Sequence, residues 1–325
     1  MKTFLFKLAV YLGVVAAGLA AVFAAYGKLF PPETSFFMAS RDKHQRLESL
    51  PSPRIIFIGG SSMAFGLDSG EVGKRLGLHP VNMGLNAGVG LEFMLQEVEP
   101  FIRTGDVIVV APEYNTFEQF YYPDPEYVAR LIECRPPVIR ALTARQIKEL
   151  LDHGYVHHLG RVIRTVMGRP EKILDGATYA HTRRSSFNED GDVVSHHNVP
   201  GPVLGVVPWK FTAPATTFTA IDQLNRFQSE VQRRGARVFY SHPPYERRSF
   251  EKNRHSISKL DGLLKERMKI PMLDQVDDMV FPTDHFFDTE YHLNLTGKTE
   301  RSRRVAESLA KFLKPSGPGQ TIPPR

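Results

Sequence analysis

The chain has a single cysteine, Cys134, in 325 residues. That excludes any intrachain disulfide and any zinc site built from cysteines. It also has no long Lys/Arg block and no nucleic-acid motif, so nucleic acid is not an expected partner. The formal charge of +6 then reads as Lys and Arg scattered over a solvated surface. An excess of that size is still compatible with anionic envelope polymers or lipid headgroups. The small group Arg161, Arg164 and Arg169 falls under the same reading. Internal repeats are absent. At 42% hydrophobic composition, with its prolines and glycines spread among apolar runs, the chain suits one large domain or a domain with a sizeable insertion.

One long apolar run is present. Phe4 to Ala25 is interrupted only by Lys7, and the uncharged stretch Leu8–Tyr26 is as long as a hydrocarbon core requires at ~1.5 Å per residue. Lys2 and Lys7 precede it, which places them on the cytoplasmic side and the remainder outside. The run exceeds the usual length of a cleaved signal, so residues 1–27 are expected to be a retained transmembrane anchor. Residues 28–53, with Pro31, Pro32, Pro51 and Pro53, read as a polar linker.

Beyond residue 53 apolar strand-like segments alternate with helical ones. Arg54–Gly60, Pro80–Leu85, Asp106–Ala111, Ala236–Ser241 and Ile270–Leu273 are the strand candidates. Asp68 is placed to cap a helix running to about Leu76. Gly90–Arg103, Thr217–Arg234, Ser256–Met268 and Thr296–Leu313 have helical periodicity. This alternation predicts an α/β fold with a central parallel sheet between helical layers, over residues 54–313. Between about 117 and 216 the pattern breaks, and an insertion is expected there. The tail, 314–325, has a disordered composition.

Ligands of such sheets lie beyond the carboxyl ends of the strands. Ser62, Gly84–Gly88 and Glu113–Asn115 all fall just after strands. Gly59-Gly60 lets the chain turn sharply before Ser61 and Ser62, where a helix N-terminus would favour a developing anion. Near the other end stands Asp288-Thr-Glu-Tyr-His292, a carboxylate and an imidazole on one short segment. A nucleophilic serine needs a base, and the base an orienting carboxylate. Asp284, His285 and Glu290 are rivals for those two roles. His242 follows the fourth strand and is expected to border the same edge. Tyr114, Phe117, Phe120, Tyr121 and Tyr122 are aromatics that suit either a sugar-binding face or core packing. His153, His157 and His158, and the pair His196-His197, lack a third metal ligand and read as polar surface.

These motifs resemble the SGNH (GDSL-type) hydrolases over roughly residues 54–116 and 236–313. Gly60-Ser61-Ser62 is similar to the family's first block, with Ser61 in place of its usual Asp. Asn82-Met-Gly84-Leu-Asn86-Ala-Gly88 is similar to the second. The third departs: Glu113 stands where the family has Asn, and Asn115 comes two places late. Asp288-x-x-x-His292 is one residue longer than the common spacing. The longer spacing, the Gly-Ser-Ser start and the N-terminal anchor look like membrane-anchored envelope proteins, such as those of alginate O-acetylation and D-alanyl-lipoteichoic acid transfer. The resemblance implies a three-layer fold with flavodoxin-like strand order and a triad of Ser62, His292 and Asp288. It also implies an oxyanion hole from Ser62, Gly88 (with Gly84 and Ala87 as alternatives) and Asn115. Glu113, Tyr114 and His242 are implied pocket residues, and no cofactor or metal is called for. The implied activity is that of an esterase or O-acyltransferase on an acylated envelope polysaccharide, at the periplasmic face of a bacterial inner membrane beside a membrane-bound O-acyltransferase. The alternative is a non-catalytic polysaccharide-binding or assembly subunit.

Overall fold

A computed structural model of the chain describes residues 2–29, 35–154, 160, 167, 183–199 and 205–313. The expectations for His157, His158, Arg161, Arg164, Arg169 and the tail 314–325 lie outside the described residues. In chain order the helices and strands are α1 Lys2–Leu29, α2 Ala39–Ser49, β1 Arg54–Ile58, α3 Ser61–Gly66, α4 Ser69–Leu76, β2 His79–Asn82, α5 Leu91–Val98, β3 Val107–Val110, α6 Pro125–Cys134, α7 Ala144–Glu149, α8 Ala215–Arg233, β4 Arg237–Tyr240, β5 Tyr245–Glu246, α9 Arg247–Arg267, β6 Val280–Phe281 and α10 Leu295–Leu313.

The chain divides into two compact units. The smaller holds Met1–Met38 and Pro125–Arg184. In it α1 is a continuous helix over the stretch expected to be a transmembrane anchor. Among the described residues no helix is long and apolar enough to cross a membrane. Along α1 the side chains of residues 12, 15, 16 and 19–29 are outside the described set. Phe37 packs on Tyr127 of α6 with ring centroids 5.6 Å apart.

The larger unit, Ala39–Asp124 and Ser185–Arg325, carries the sheet. Its four strands run parallel in the order β2-β1-β3-β4. Every residue of β1 and β3 is buried, as strands covered on both faces require. Side chains alternate across the pleat. Ile55, Phe57, Val107, Val109 and Phe239 share one core with Val72 of α4 and Val305 and Leu309 of α10. Helices α5 and α8 pack on each other, and α8 packs on β4.

Helix ends follow local chemistry. The Asp68 side chain accepts the Glu71 N–H, and Gly77 closes α4 at φ +66°, a left-handed conformation that glycine adopts without strain. The expected helix at Ser256 begins earlier, at Arg247. Glu246 accepts the N–H groups of Arg248 and Ser249 and so starts α9 nine residues sooner than the apolar periodicity indicates. Ile270–Leu273 forms no strand and adds one parallel bridge, Met272 to Tyr240, at the β4 edge.

Two segments differ from the sequence reading. Within the stretch read as a linker, α2 buries Lys43, His44 and Leu47. Its buried stripe is mostly polar, so hydropathy conceals it. Within the stretch read as an insertion, residues 185–199 belong to the sheet unit. Asp190 O accepts the Asn82 N–H at 2.9 Å, Ala64 O accepts the Val193 N–H at 2.8 Å, and Asn82 Nδ2 donates to Asp192 Oδ1 at 2.7 Å.

A buried ion pair fastens the start of β1. Arg54 and Asp106 have no exposed side-chain surface. Asp106 also accepts from Ser52 Oγ at 2.8 Å and from the Arg103 N–H at 2.9 Å. Burial alone would raise the Asp106 pKa. Hydrogen bonds from Arg54, Arg103 and Ser52 outweigh it and hold the carboxyl below its ordinary value.

Candidate active site

The order β2-β1-β3 places the ends of β1, β2 and β3 side by side, so residues far apart in sequence meet at one edge. Ser62 arrives there from β1. The turn requires its glycines: a Cβ on Gly59 would lie 2.7 Å from Ala111 O, and one on Gly60 would lie 2.4 and 2.5 Å from the two Glu113 carboxylate oxygens. Helix α3 is only one to two turns long, and Ser62 is fully buried on it. Among the described residues the Ser62 hydroxyl has no hydrogen-bond partner.

Asp288 and His292 meet directly. His292 Nδ1–H donates to Asp288 Oδ1 at 2.7 Å, which leaves Nε2 as the basic nitrogen. The carboxylate side chain is 3% exposed, so the bond is shielded from water. The imidazole stacks on Phe65 with centroids 4.2 Å apart and planes 8° from parallel. Phe65 lies three residues beyond Ser62, one turn along α3, so the imidazole sits over the helix that carries Ser62. Of the rivals, Asp284 offers its main-chain oxygen to Asn294, and His285 faces Glu300 at 3.6 Å.

The expected oxyanion donors are engaged elsewhere. Gly88 N–H donates to Asn86 Oδ1 and Gly84 N–H to Asn82 Oδ1, each at 2.8 Å in a local turn. Ala87 N is the atom of that loop nearest the serine turn, 2.8 Å from where a Gly60 Cβ would stand. Ala87, one of the alternatives to Gly88, thus has its backbone N beside the serine turn. A Cβ on Gly84 would fall 2.7 Å from Met63 Cβ and 2.8 Å from Ala64 N, so Gly84 serves the packing of α3. Asn115 lies in a short 3-10 turn, Tyr114–Phe117, and its Oδ1 is buried without a partner. Ser62 N–H donates at 2.8 Å to Glu113 Oε1.

Tyr114 and His242 are sealed inside and do not line an open pocket. Tyr114 packs edge-on against Tyr245 at 5.6 Å and face-on with Trp209 at 6.5 Å. Burial, then nearby Tyr240 and acidic groups, holds its hydroxyl well above the ordinary pKa. The His242 N–H donates to Asp274 Oδ1 at 2.8 Å, and its Nε2 stands 3.4 Å from Asp261 Oδ1. Both residues buttress the edge from behind.

Three residues at the site escaped sequence reasoning. Arg301 of α10 is fully buried and donates to Ser62 O at 2.9 Å. Burial pushes its pKa down to about 10, against the opposing charges of Asp274 and Glu113. Its signal was an arginine on the buried stripe that continues through Val305 and Leu309. Phe65 carried the signal of a one-turn spacing from Ser62. His196 packs on Phe65 and Phe287, and its Nε2–H donates to Leu293 O at 2.9 Å. The sequence reading placed the His196-His197 pair on a polar surface, whereas His196 is buried among these aromatic rings.

His196 carries a pH signature. Burial depresses its pKa to about 3, the Leu293 bond opposes this, and Lys298, His197 and His292 lower it further. Between about 6.5 and 3 the unfolded chain therefore binds a proton that the folded chain refuses. Its contribution to stability is full above pH 6.5 and is lost as pH falls through that window. Urea unfolding at a series of pH values is expected to show this slope. His196→Gln, which keeps an N–H donor but does not titrate, is expected to flatten it.

Among the described residues no group of three or more His, Cys, Asp or Glu side chains is placed to hold a metal. No protein-family model matches the chain, and no curated protein matches it.

Proposed function

We propose that this chain is an SGNH-type serine acyl-ester enzyme that removes or transfers acyl groups on an envelope polysaccharide. The Asp288–His292 bond carries the reading, with the imidazole stacked on the helix that bears Ser62. The strand order β2-β1-β3-β4, whose topological switch point lies between β1 and β3, supports it as well. In this reading Ser62 Oγ attacks the ester carbonyl while His292 Nε2 takes its proton. The proton returns to the departing alkoxide, and the acyl group is left on Ser62. Water or a glycan hydroxyl then attacks, His292 accepts its proton, and the serine is regenerated. Water as acceptor makes an esterase and a sugar hydroxyl makes a transferase.

The apolar run of the sequence from Leu8 to Tyr26, preceded by Lys2 and Lys7, supports a single-pass anchor in a bacterial inner membrane, with the catalytic unit outside. A membrane-bound O-acyltransferase would be a fitting neighbour there. A second reading, a polysaccharide-binding or assembly subunit without catalysis, draws support from the unbonded Ser62 hydroxyl.

Fluorophosphonate labelling of the full-length protein in detergent tests the choice. An adduct mapped to Ser62, absent in Ser62→Ala, is the expected result. A folded protein with no adduct at any probe concentration would favour the second reading.

A further inference from the structure

Glu113 is the residue whose position the proposed chemistry does not use. It stands at the end of β3, where an amide side chain would be expected to donate to an oxyanion. A carboxylate only accepts. Its Oε1 takes the Ser62 N–H at 2.8 Å, and that N–H is the donor a tetrahedral intermediate on Ser62 would need first. The same carboxylate borders Ala87 N: all three atoms crowd the point where a Gly60 Cβ would be. The Ser62 N–H, the first donor an oxyanion would need, is therefore taken by a carboxylate.

We propose that Glu113 is a plug. In the resting protein its carboxylate occupies the oxyanion hole, and acyl transfer proceeds only after it swings away. This inference rests on the serine reading above. Gly60 provides the space the plug fills, since a methyl group there would collide with both carboxylate oxygens. The plug is held by its single hydrogen bond from the Ser62 N–H and by the charge of nearby Arg301, and among the described residues its Oε2 has no hydrogen-bond partner. Departure thus breaks one bond to a backbone N–H and leaves no second one unmade. Ser62 is wholly enclosed too, so no substrate reaches its hydroxyl until a neighbour moves. The fully buried Arg301 is the nearby cation, and its charge acts on Glu113 while its Nη1 holds Ser62 O. It therefore keeps the serine backbone in place when the carboxylate leaves. A closed hole has a specific consequence: small esters that bind weakly turn over slowly, since they supply little binding energy to drive the opening.

The test measures fluorophosphonate labelling rates and 4-nitrophenyl acetate hydrolysis for full-length wild type, Glu113→Ala, Glu113→Gln and the double variant Ser62→Ala/Glu113→Ala. Both single variants are expected to exceed wild type by about tenfold or more, a fraction of the ~10²–10³ that one oxyanion donor is worth. The gain should appear in kcat rather than KM, and the double variant should be silent. Glu113→Gln keeps the shape and decides the matter if Glu113→Ala fails to fold. Equal labelling of wild type and both variants, or slower labelling of folded variants, would overturn the plug and leave the serine reading standing. Absence of labelling in all of them, each with a cooperative unfolding transition, would remove the serine reading and the plug together.

Discussion

Asp288→Asn is expected to slow ester turnover and Ser62 phosphonylation by about 10⁴-fold. That equals roughly 5 kcal/mol of transition-state stabilisation. Asparagine fills the same volume, so packing around the shielded site survives. What is lost is the negative charge that fixes Nδ1 as the protonated nitrogen and stabilises the imidazolium once it forms. The stacking of His292 on Phe65 holds the ring but cannot choose its tautomer. Stability should change little, and the melting temperature of the variant separates a chemical defect from a folding one. A fall smaller than tenfold in a folded variant would remove Asp288 from the mechanism and return the orienting role to its rivals.

Asp106→Asn is expected to destabilise the sheet unit by about 3–5 kcal/mol, because it leaves the Arg54 guanidinium buried without its counter-charge. For a unit of this size that corresponds to a melting temperature lower by on the order of 10 °C. The loss exceeds that of an ordinary surface ion pair because neither side chain has exposed surface. Removing both charges, as in Arg54→Met/Asp106→Leu, is expected to recover part of the loss, since the desolvation cost goes with them. The acid limb carries the same signature. Asp106 titrates below the ordinary aspartate value in the folded chain, so its contribution is present above about pH 3.9 and disappears as pH falls through the folded pKa. A single variant no less stable than wild type by urea unfolding would show that this pair does not hold β1 in place.

Much of the architecture was legible because it rests on local pattern. Strands β1 and β3 are short apolar runs that only a sheet covered on both faces can bury, and each of the four strands appeared within a residue or three of its predicted bounds. The Asp68 cap and the Asp288-x-x-x-His292 pair are also contained within a few residues of chain. What escaped depends on distance in sequence. Lys43 looks like a surface residue until Asn82 O and Gly191 O accept its ammonium hydrogens, from 39 and 148 residues away. Residues 185–199 have no periodicity, because main-chain bonds to β2 and α3 hold them rather than an apolar face. Arg301 reads as one more charge on an amphipathic helix, and only the fold shows the Ser62 carbonyl above it. Glu113 was visible as a departure from a familiar block. Its partner lies 51 residues upstream, so the consequence of the departure was not.

The clamp from Arg301 to the Ser62 carbonyl spans 239 residues. Translation runs from the N-terminus, so Ser62 is made early, His292 late, and Arg301 last of all. A growing chain can form the edge of β1, β2 and β3 well before α10 has left the ribosome, yet the serine backbone is unheld until that helix docks. Synthesis itself thus times the assembly of this edge: a chain that stops short of α10 holds Ser62 without the arginine that fixes its carbonyl.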